Sequence, residues 1–447
     1  MFKKILIANR GEIAVRIIRA CYEMGIRSVA VYSEADGEAL HVQMADEAVC
    51  IGGSAPKDSY LNIQNILSAA VLTGSEAIHP GYGFLSENAK FAEICEKCNI
   101  CFIGAPYKVI AQMGNKMQAR CLMMNSGIPV IPGSDGILTN VDEAKTIAEK
   151  IGFPLLIKAS AGGGGRGIRR VDTPDELADS FYGAKSEALA CFGDDSVYIE
   201  KLMKKVRHIE IQILADKFGN TVHLFERDCS MQRRHQKVIE EAPSLYISDE
   251  LRNQMGEAAI RAAKACGYIN AGTVEFLVDS DRNFYFIEMN TRVQVEHPVT
   301  EAITGIDIID EQIRIASGLP LSFAQDDVRI DGHAIECRIN AENPRQDFMP
   351  SCGKVNIRHL PGGIGIRFES LLYDGWEISP YYDSMVGKLI VHAPNRDAAV
   401  KRMKRALMEL YIEGVDINDE FLMEIIMHQD FQSNGYDTSW IEEGIIK

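Results

Sequence analysis

Residues 158–167 read Lys-Ala-Ser-Ala-Gly-Gly-Gly-Gly-Arg-Gly, between the strand-like runs Leu155-Leu156-Ile157 and Ile168-Arg169-Arg170-Val171. Glycines 162, 164 and 167 satisfy G-x-G-x-x-G, a pattern that means little without its flanks. A dinucleotide fold and a P-loop both place a helix after such a loop; here a strand follows. The segment therefore reads as a glycine hairpin, the kind of flap that covers nucleotide phosphates. Bare glycine lets backbone N–H groups approach phosphate oxygens, and Lys158 adds a cation. The alternative is a flexible surface hairpin, in which four consecutive glycines cost conformational entropy without packing.

The chain around this flap has 447 residues, which at about 150 per domain suggests roughly three domains. It is 46% hydrophobic and 25% charged, which excludes a disordered chain. With 47 Lys and Arg against 63 Asp and Glu, the net charge is −16. Such a chain is poorly suited to coat nucleic acid or an anionic membrane, so neither is expected as a partner. No run approaches the roughly 20 apolar residues of a membrane span. The start, Met1 to Ala8, resembles the opening of a signal peptide, but Asn9-Arg10 breaks a short apolar run; a cytoplasmic protein is expected.

The 11 cysteines do not form a secreted disulfide pattern. Cys95, Cys98 and Cys101 are spaced C-x-x-C-x-x-C, as in an iron–sulfur run, but Ala105 stands where a fourth ligand would precede Pro106. We read them as packed thiols at a helix end and on the strand Ile100 to Ile103.

Residues 1–35 read strand, helix, strand: Ile5 to Ala8, then Ile13, Ile17, Ile18 and Cys21 at helical spacing, then Ser28 to Tyr32. This βαβ unit predicts an open parallel sheet. His79 to Phe84 is too rich in Gly and Pro for regular structure and reads as a loop. The first unit ends near Ile103 to Pro106. Helical patterns run to about Gly127, and a compact α+β unit spans Phe153 to Met203. Strands dominate from His208, where Ile209, Ile211 and Ile213 alternate with His208, Glu210 and Gln212, one buried face and one polar. A helix, Asp397 to Leu410, carries Val400, Met403, Leu407 and Leu410 on one stripe. The fold class is α/β and α+β.

Strands Val274 to Val278 and Phe284 to Asn290 flank a turn. A tight loop centred on Asp281-Arg282 puts Glu275 opposite Glu288, a few ångströms away. Bare carboxylates there repel, and a divalent cation such as Mg²⁺ removes the repulsion; Asn290 offers another oxygen on the same face. Period-2 alternation continues that face through Arg292, Gln294 and Glu296. Arg292 suits a small planar oxyanion, and Glu296 can accept its proton. Cys229 to Lys237 concentrates three permanent cations and a histidine, either a solvated loop or a patch for phosphate; Cys229 itself reads as a core thiol. Arg338 sits on the short strand Glu336 to Asn340 and says little by itself.

Together these segments resemble the biotin carboxylase family of ATP-grasp enzymes. The matching stretches are Ile7 to Ala14, His79 to Asn88, the glycine flap, Glu226 to Lys237, Phe286 to Glu301 and Tyr381 to Met385. The resemblance covers essentially the whole chain. It implies an N-terminal parallel-sheet domain over 1–114, linker helices and a mobile lid over 115–203, and the ATP-grasp core with a mixed β-rich C-terminal domain over 204–447. It implies that ATP phosphorylates bicarbonate to carboxyphosphate, whose breakdown supplies CO₂ to the biotin enolate. ATP, Mg²⁺ or Mn²⁺, and biotin carried on another protein are the implied cofactors and substrates.

The resemblance assigns roles. Lys116 and Lys158 hold ATP phosphates beside Gly164 and Gly165. Glu200, Lys201, Leu202 and Met203 form the adenine-side hinge, with His208, Gln232 and His235 nearby. Glu275, Glu288 and Asn290 hold the metal. Lys237, Arg292, Gln294, Val295 and Glu296 cradle bicarbonate, with Glu296 as base. Arg338 stabilises the biotin enolate, with Tyr82 close to biotin. Departures from the family pattern are few: Ser244-Leu245, Asp416-Ile417-Asn418 and Cys352 put local loop shape in doubt and leave the assigned residues untouched.

No Ala-Met-Lys-Met carrier motif is present. That implies a subunit working with a biotin carboxyl carrier protein and carboxyltransferase subunits, most simply of acetyl-CoA carboxylase in fatty acid synthesis. A pyruvate or other acyl-CoA carboxylase is the alternative. A homodimer is implied, with Arg16 in the matching interface segment. A different ATP-grasp ligase and a non-catalytic nucleotide-binding regulator are the remaining readings.

Overall fold

The computed structural model describes residues 1–160 and 167–444. The glycines 162 to 165, including Gly164 and Gly165, lie outside the described residues.

Five parallel strands open the chain: β1 (Lys4–Ile7), β2 (Arg27–Tyr32), β3 (Glu47–Cys50), β4 (Ala77–His79) and β5 (Cys101–Phe102), in the order β3-β2-β1-β4-β5. Ile5, Leu6 and Ile7 are fully buried, as a parallel strand covered on both faces requires. Helix Gly11–Glu23 packs Ile13, Ile17 and Cys21 inward. His79 ends β4 and only the residues after it form the expected loop. Asn9 holds that loop against the first turn by donating from Nδ2 to the carbonyls of Pro80 and Tyr82, both at 2.7 Å. Gly81 has φ +60°, and a Cβ there would meet Asn9 Nδ2 at 2.9 Å, so only glycine fits.

Cys95 is buried in helix Ala89–Lys97, Cys98 caps that helix exposed to solvent, and Cys101 is half-buried on β5. Burial raises Cys95 to about 12 and Cys101 to about 11.

Three antiparallel strands follow in the order β7-β6-β8: β6 (Leu155–Ala159), β7 (Ile168–Val171) and β8 (Val197–Lys201). The β6–β7 pairing closes with Lys158 opposite Ile168. The two strands that flank residues 161–166 are thus paired with each other, as the sequence reading expects of those flanks. Helix Leu177–Phe192 packs Leu177, Phe181 and Ala184 on this sheet.

The largest sheet has eight strands. It contains β9 (Arg207–Ala215), β10 (Thr221–Arg233), β11 (Gln236–Ala242), β12 (Asn270–Val278), β13 (Phe284–Asn290) and β14 (His333–Asn340). The order is β13-β12-β9-β10-β11-β14, continued by strands Met385–Ala393 and Ile366–Ser370. Ile209, Ile211 and Ile213 of β9 pack with Met255, Ala258, Ala259 and Ala262 of helix Asp249–Cys266. The other face of β9 is not solvated: Glu210 and Gln212 are both fully buried. Alternation was legible there, but the polar face is an interior one. A second core joins β14 to helix Arg396–Glu409 through Ile335, Cys337, Leu389, Met403 and Leu407. No helix of the described residues is long and apolar enough to cross a membrane.

Candidate active site

Glu275 on β12 pairs with Glu288 on β13. It also pairs with Glu210 on β9, which in turn faces Arg227 on β10. One row across four strands thus reads Arg227, Glu210, Glu275, Glu288. The Glu275–Glu288 pairing arises differently from the expectation. The turn is the five-residue Asp279 to Asn283, with Val278 opposite Phe284, and a bulge at Ile287 restores the register. Three adjacent carboxylates repel in such a row, so the cations around them decide whether it folds.

Arg227 is fully buried and donates to Glu210 (2.6 Å), Gln212 (2.8 Å), Thr300 (2.9 Å), Thr273 (3.1 Å) and Gln294 (2.9 Å). Lys237 Nζ donates to Glu210 at 2.5 Å, Glu296 at 2.6 Å and Glu275 at 3.2 Å. Burial disfavours its charge, but these carboxylates outweigh burial and hold the ammonium well above its ordinary value. His208 Nε2 stands 3.1 Å from Glu275 Oε2. Burial opposes its protonation and Glu275 more than offsets that, so its value is raised. Burial likewise tends to raise Glu275, and Lys237 with His208 keeps it well below the carboxylate range.

The strand β13 ends at Asn290, so the expected extension through Glu296 is not a strand. Residues 291–296 turn away and lead into helix His297–Thr304. The polar residues converge regardless, because each is caught by a partner from another element. Arg292 Nε donates to Glu87 at 2.9 Å and Nη2 to Asn290 at 3.1 Å. Gln294 Nε2 donates to Glu275 at 2.8 Å. The Val295 carbonyl accepts from the buried Lys388 at 2.7 Å. Glu296 sits between Lys237 and Arg338, its Oε2 at 3.0 Å from Arg338 Nη2. Burial tends to raise Glu296, and Lys237, Arg338 and Arg227 together hold it well below its ordinary value. Cys229 lies 3.9 Å from Glu296, and burial pushes its thiol far up, as a packed thiol requires.

Arg338 on β14 also donates from Nε to Glu240 at 2.6 Å. Tyr82 lies beside it: its hydroxyl bonds to Glu12, which receives Lys388 at 3.1 Å. Lys116 begins helix Lys116–Asn125 and stands 3.5 Å from Glu288. Lys158 of β6 is paired with Glu200 of β8, and Glu200 also receives Arg120 at 3.2 Å. The Glu200 carboxylate is thus committed to cations. Lys201 turns to the Phe153 carbonyl at 3.0 Å, while Leu202 and Met203 follow the strand. Gln232 bonds His208 Nδ1 at 2.9 Å. His235 lies at the exposed β10–β11 turn and makes no hydrogen bond among the described residues. Arg16 is turned into its own chain, buried against Glu301 at 3.1 Å and Asp307 at 2.5 Å.

Glu275, Glu288 and Asn290 present oxygen donors from one sheet face, the set that suits Mg²⁺. His208, Glu210 and Glu275 form a second candidate group, and Glu210, Cys229 and Glu296 a third, with donor atoms within 4.8 Å of one another. The hard oxygen donors of the first set fit a phosphate-bridging cation better than the thiol-containing third.

Sequence reasoning missed Glu87, Glu210, Arg227, Glu240 and Lys388. Glu87 and Arg227 stand inside the matched stretches, so their signal was present without a role attached. Glu210 was visible only as part of an alternating strand.

Comparison with known proteins places this geometry. Residues 1–110 match the biotin carboxylase N-terminal domain, and 336–443 match the biotin carboxylase C-terminal domain. Residues 115–324 match the ATP-binding domain of the carbamoyl-phosphate synthase L chain. Biotin carboxylase 1 of Bacillus subtilis (strain 168) is 57% identical over 443 residues, covering 99% of this chain and 98% of that protein. The biotin carboxylase–β,γ-ATP complex from Campylobacter jejuni superposes with a TM-score of 0.96 at 49% identity over 99% of both chains. The biotin carboxylase domain dimer of Hydrogenobacter thermophilus 2-oxoglutarate carboxylase, solved with MgADP, ADP and bicarbonate, gives 0.94 at 52% identity over 99% of this chain and 98% of that one. The chain belongs to the biotin carboxylase family, ATP-grasp ligases that carboxylate biotin with ATP and bicarbonate.

Proposed function

We propose that this chain carboxylates biotin borne on a biotin carboxyl carrier protein, as the first half-reaction of a cytoplasmic acetyl-CoA carboxylase serving fatty acid synthesis. The observation that carries the chemical reading is the position of Glu296. It is a buried carboxylate held ionised between Lys237 and Arg338, beside an Arg292 fixed by Glu87.

Arg292 and Lys237 bind bicarbonate, with Gln294 and the Val295 backbone limiting its orientation. A carboxylate this strongly paired is a weak base. An incoming anion competes for Lys237 and Arg338, and Glu296 becomes more basic as they leave it. It then takes the bicarbonate proton as the oxygen attacks phosphorus, which is positioned general-base catalysis. Glu275, Glu288 and Asn290 would hold Mg²⁺, which when bound neutralises phosphate oxygens. Lys116 and Lys158 bind phosphate by exchanging Glu288 and Glu200 for the nucleotide. Arg338, anchored by Glu240, stabilises the biotin enolate, and Tyr82 borders that position. Fixed cations placed where charge develops are the largest expected contribution. The family's dimeric state and separate carboxyltransferase subunits are part of this reading.

The test is fixation of ¹⁴C from bicarbonate into acid-labile carboxybiotin with MgATP and free biotin. Transfer from that product is then followed with carrier protein and purified carboxyltransferases for acetyl-CoA or 2-oxo acids. Acid-labile label followed by malonyl-CoA supports the reading. Label passing only to pyruvate or another acyl-CoA moves the chain to the alternative, the biotin carboxylase subunit of a pyruvate or other acyl-CoA carboxylase.

A further inference from the structure

Glu240 and Glu336 are directly opposed on β11 and β14, and both are fully buried. Opposed ionised carboxylates in a dry interior are costly. Their hydrogen bonding is incomplete in an ordered way. Glu240 Oε1 accepts from Arg338, while Glu240 Oε2 and both Glu336 oxygens have no donor among the described residues. A proton on Glu336 supplies that missing donor.

The surrounding charges support one added proton. Arg338 and Lys388 are the adjacent cations, but Lys388 Nζ is committed to Glu12 and the Val295 carbonyl. Arg338 is divided between Glu240 and Glu296. The other titratable groups around the pair are Tyr82 from the loop after β4, Lys237 and Cys229 from β11 and β10, Cys337 from β14, Glu296, and His297 from the helix packed on β14. Burial holds His297 neutral. No cation is left over for Glu336. Burial accordingly pushes Glu336 well above the carboxylate range and Glu240 up to about 7.

We propose that Glu240 and Glu336 share a proton as an acid–carboxylate pair, Glu336 donating to Glu240, and that this pair positions Arg338 for the biotin half of the reaction. The role of Arg338 rests on the function proposed above. Neither glutamate touches substrate in this account. Glu240 keeps hold of Arg338 when an anion draws it away from Glu296, and Glu336 satisfies the second Glu240 oxygen without adding charge.

Three variants test the pair: E336Q, E336A and E240Q, each with ATP binding measured as a folding control. An amide donates to Glu240 as the acid would, so E336Q is expected within about threefold of the parent in biotin carboxylation. E336A leaves Glu240 Oε2 without a donor, and one lost buried partner corresponds to about tenfold. That loss is expected in biotin-dependent turnover and not in bicarbonate-dependent ATP cleavage without biotin. The parent pH profile for biotin carboxylation is expected to carry an ionisation near 7 that E240Q removes. An infrared carboxylic-acid C=O band that persists in the parent above the Glu240 ionisation, and is absent there in E336Q, is the activity-independent readout. Equal damage from E336Q and E336A, or no such band in the parent above that ionisation, overturns the pair. Failure of ATP cleavage in the parent enzyme overturns the proposed function and leaves the infrared test of the pair intact.

Discussion

Lys237 Nζ lies 2.6 Å from Glu296 Oε1 inside a site where both groups are shielded from water. That ion pair ties the candidate base to the candidate anion-binding cation before any substrate arrives. In the proposed mechanism its replacement by bicarbonate is the step at which binding and activation become the same event.

Glu296→Gln keeps the shape and removes the base. Bicarbonate-dependent ATP cleavage is expected to fall by at least about a hundredfold, the usual contribution of a positioned base. Nucleotide affinity, measured by calorimetry, is expected to stay within about threefold. Retained turnover would remove Glu296 from its role.

Arg338→Ala separates the half-reactions. Biotin carboxylation is expected to fall much further than bicarbonate-dependent ATP cleavage, because the proposed function puts Arg338 on the enolate, while Glu296 is also held by Lys237. Parallel loss in both assays contradicts that division.

Glu288→Gln weakens the metal site while leaving the Glu275 cluster in place. The Mg²⁺ concentration for half-maximal turnover is expected to rise about tenfold, with metal-free ADP binding unchanged. A single oxygen ligand is being altered, and retained waters and phosphates limit the effect.

Arg227→Met is expected to damage folding more than chemistry. It strips five buried acceptors of their donor, with Glu210 left against Glu275. Breaking one side of a buried ion pair costs about 3–5 kcal/mol, read as a lower urea midpoint or loss of soluble protein.

Glu241 makes stability depend on acid. Burial alone would raise it, but Arg396 at 2.6 Å and His333 at 2.8 Å depress it strongly. A depressed carboxylate stabilises the fold above its unfolded value of about 4.3, and that contribution disappears as pH falls from there towards the folded value. Glu241→Gln is therefore expected to lower the urea midpoint at pH 7 and to flatten its fall below about pH 4. An unchanged acid limb would assign the acid sensitivity elsewhere.

What could be read from the chain is what local pattern dictates. The first βαβ unit follows from the spacing of apolar residues, and the pairing of β6 with β7 from two short strands with glycine between them. The Glu275–Glu288 pairing was also foreseen, although the bulge at Ile287 that makes it was not. Alternation from Glu288 to Glu296 misled because β13 stops at Asn290 and the turn after it buries both kinds of position, Val293 with Gln294 and Glu296. Contacts such as Glu87 with Arg292, 205 positions apart, leave no local signal. The same holds for Lys388 at the Val295 carbonyl. Resemblance supplied the role of Arg338, and the sheet supplied its partners.

The most direct measurement is phosphate release from MgATP by the purified chain, with and without bicarbonate and free biotin. The account predicts release that requires bicarbonate, rises with biotin, and collapses in Glu296→Gln. Release indifferent to both additions, or none with nucleotide bound, would contradict it.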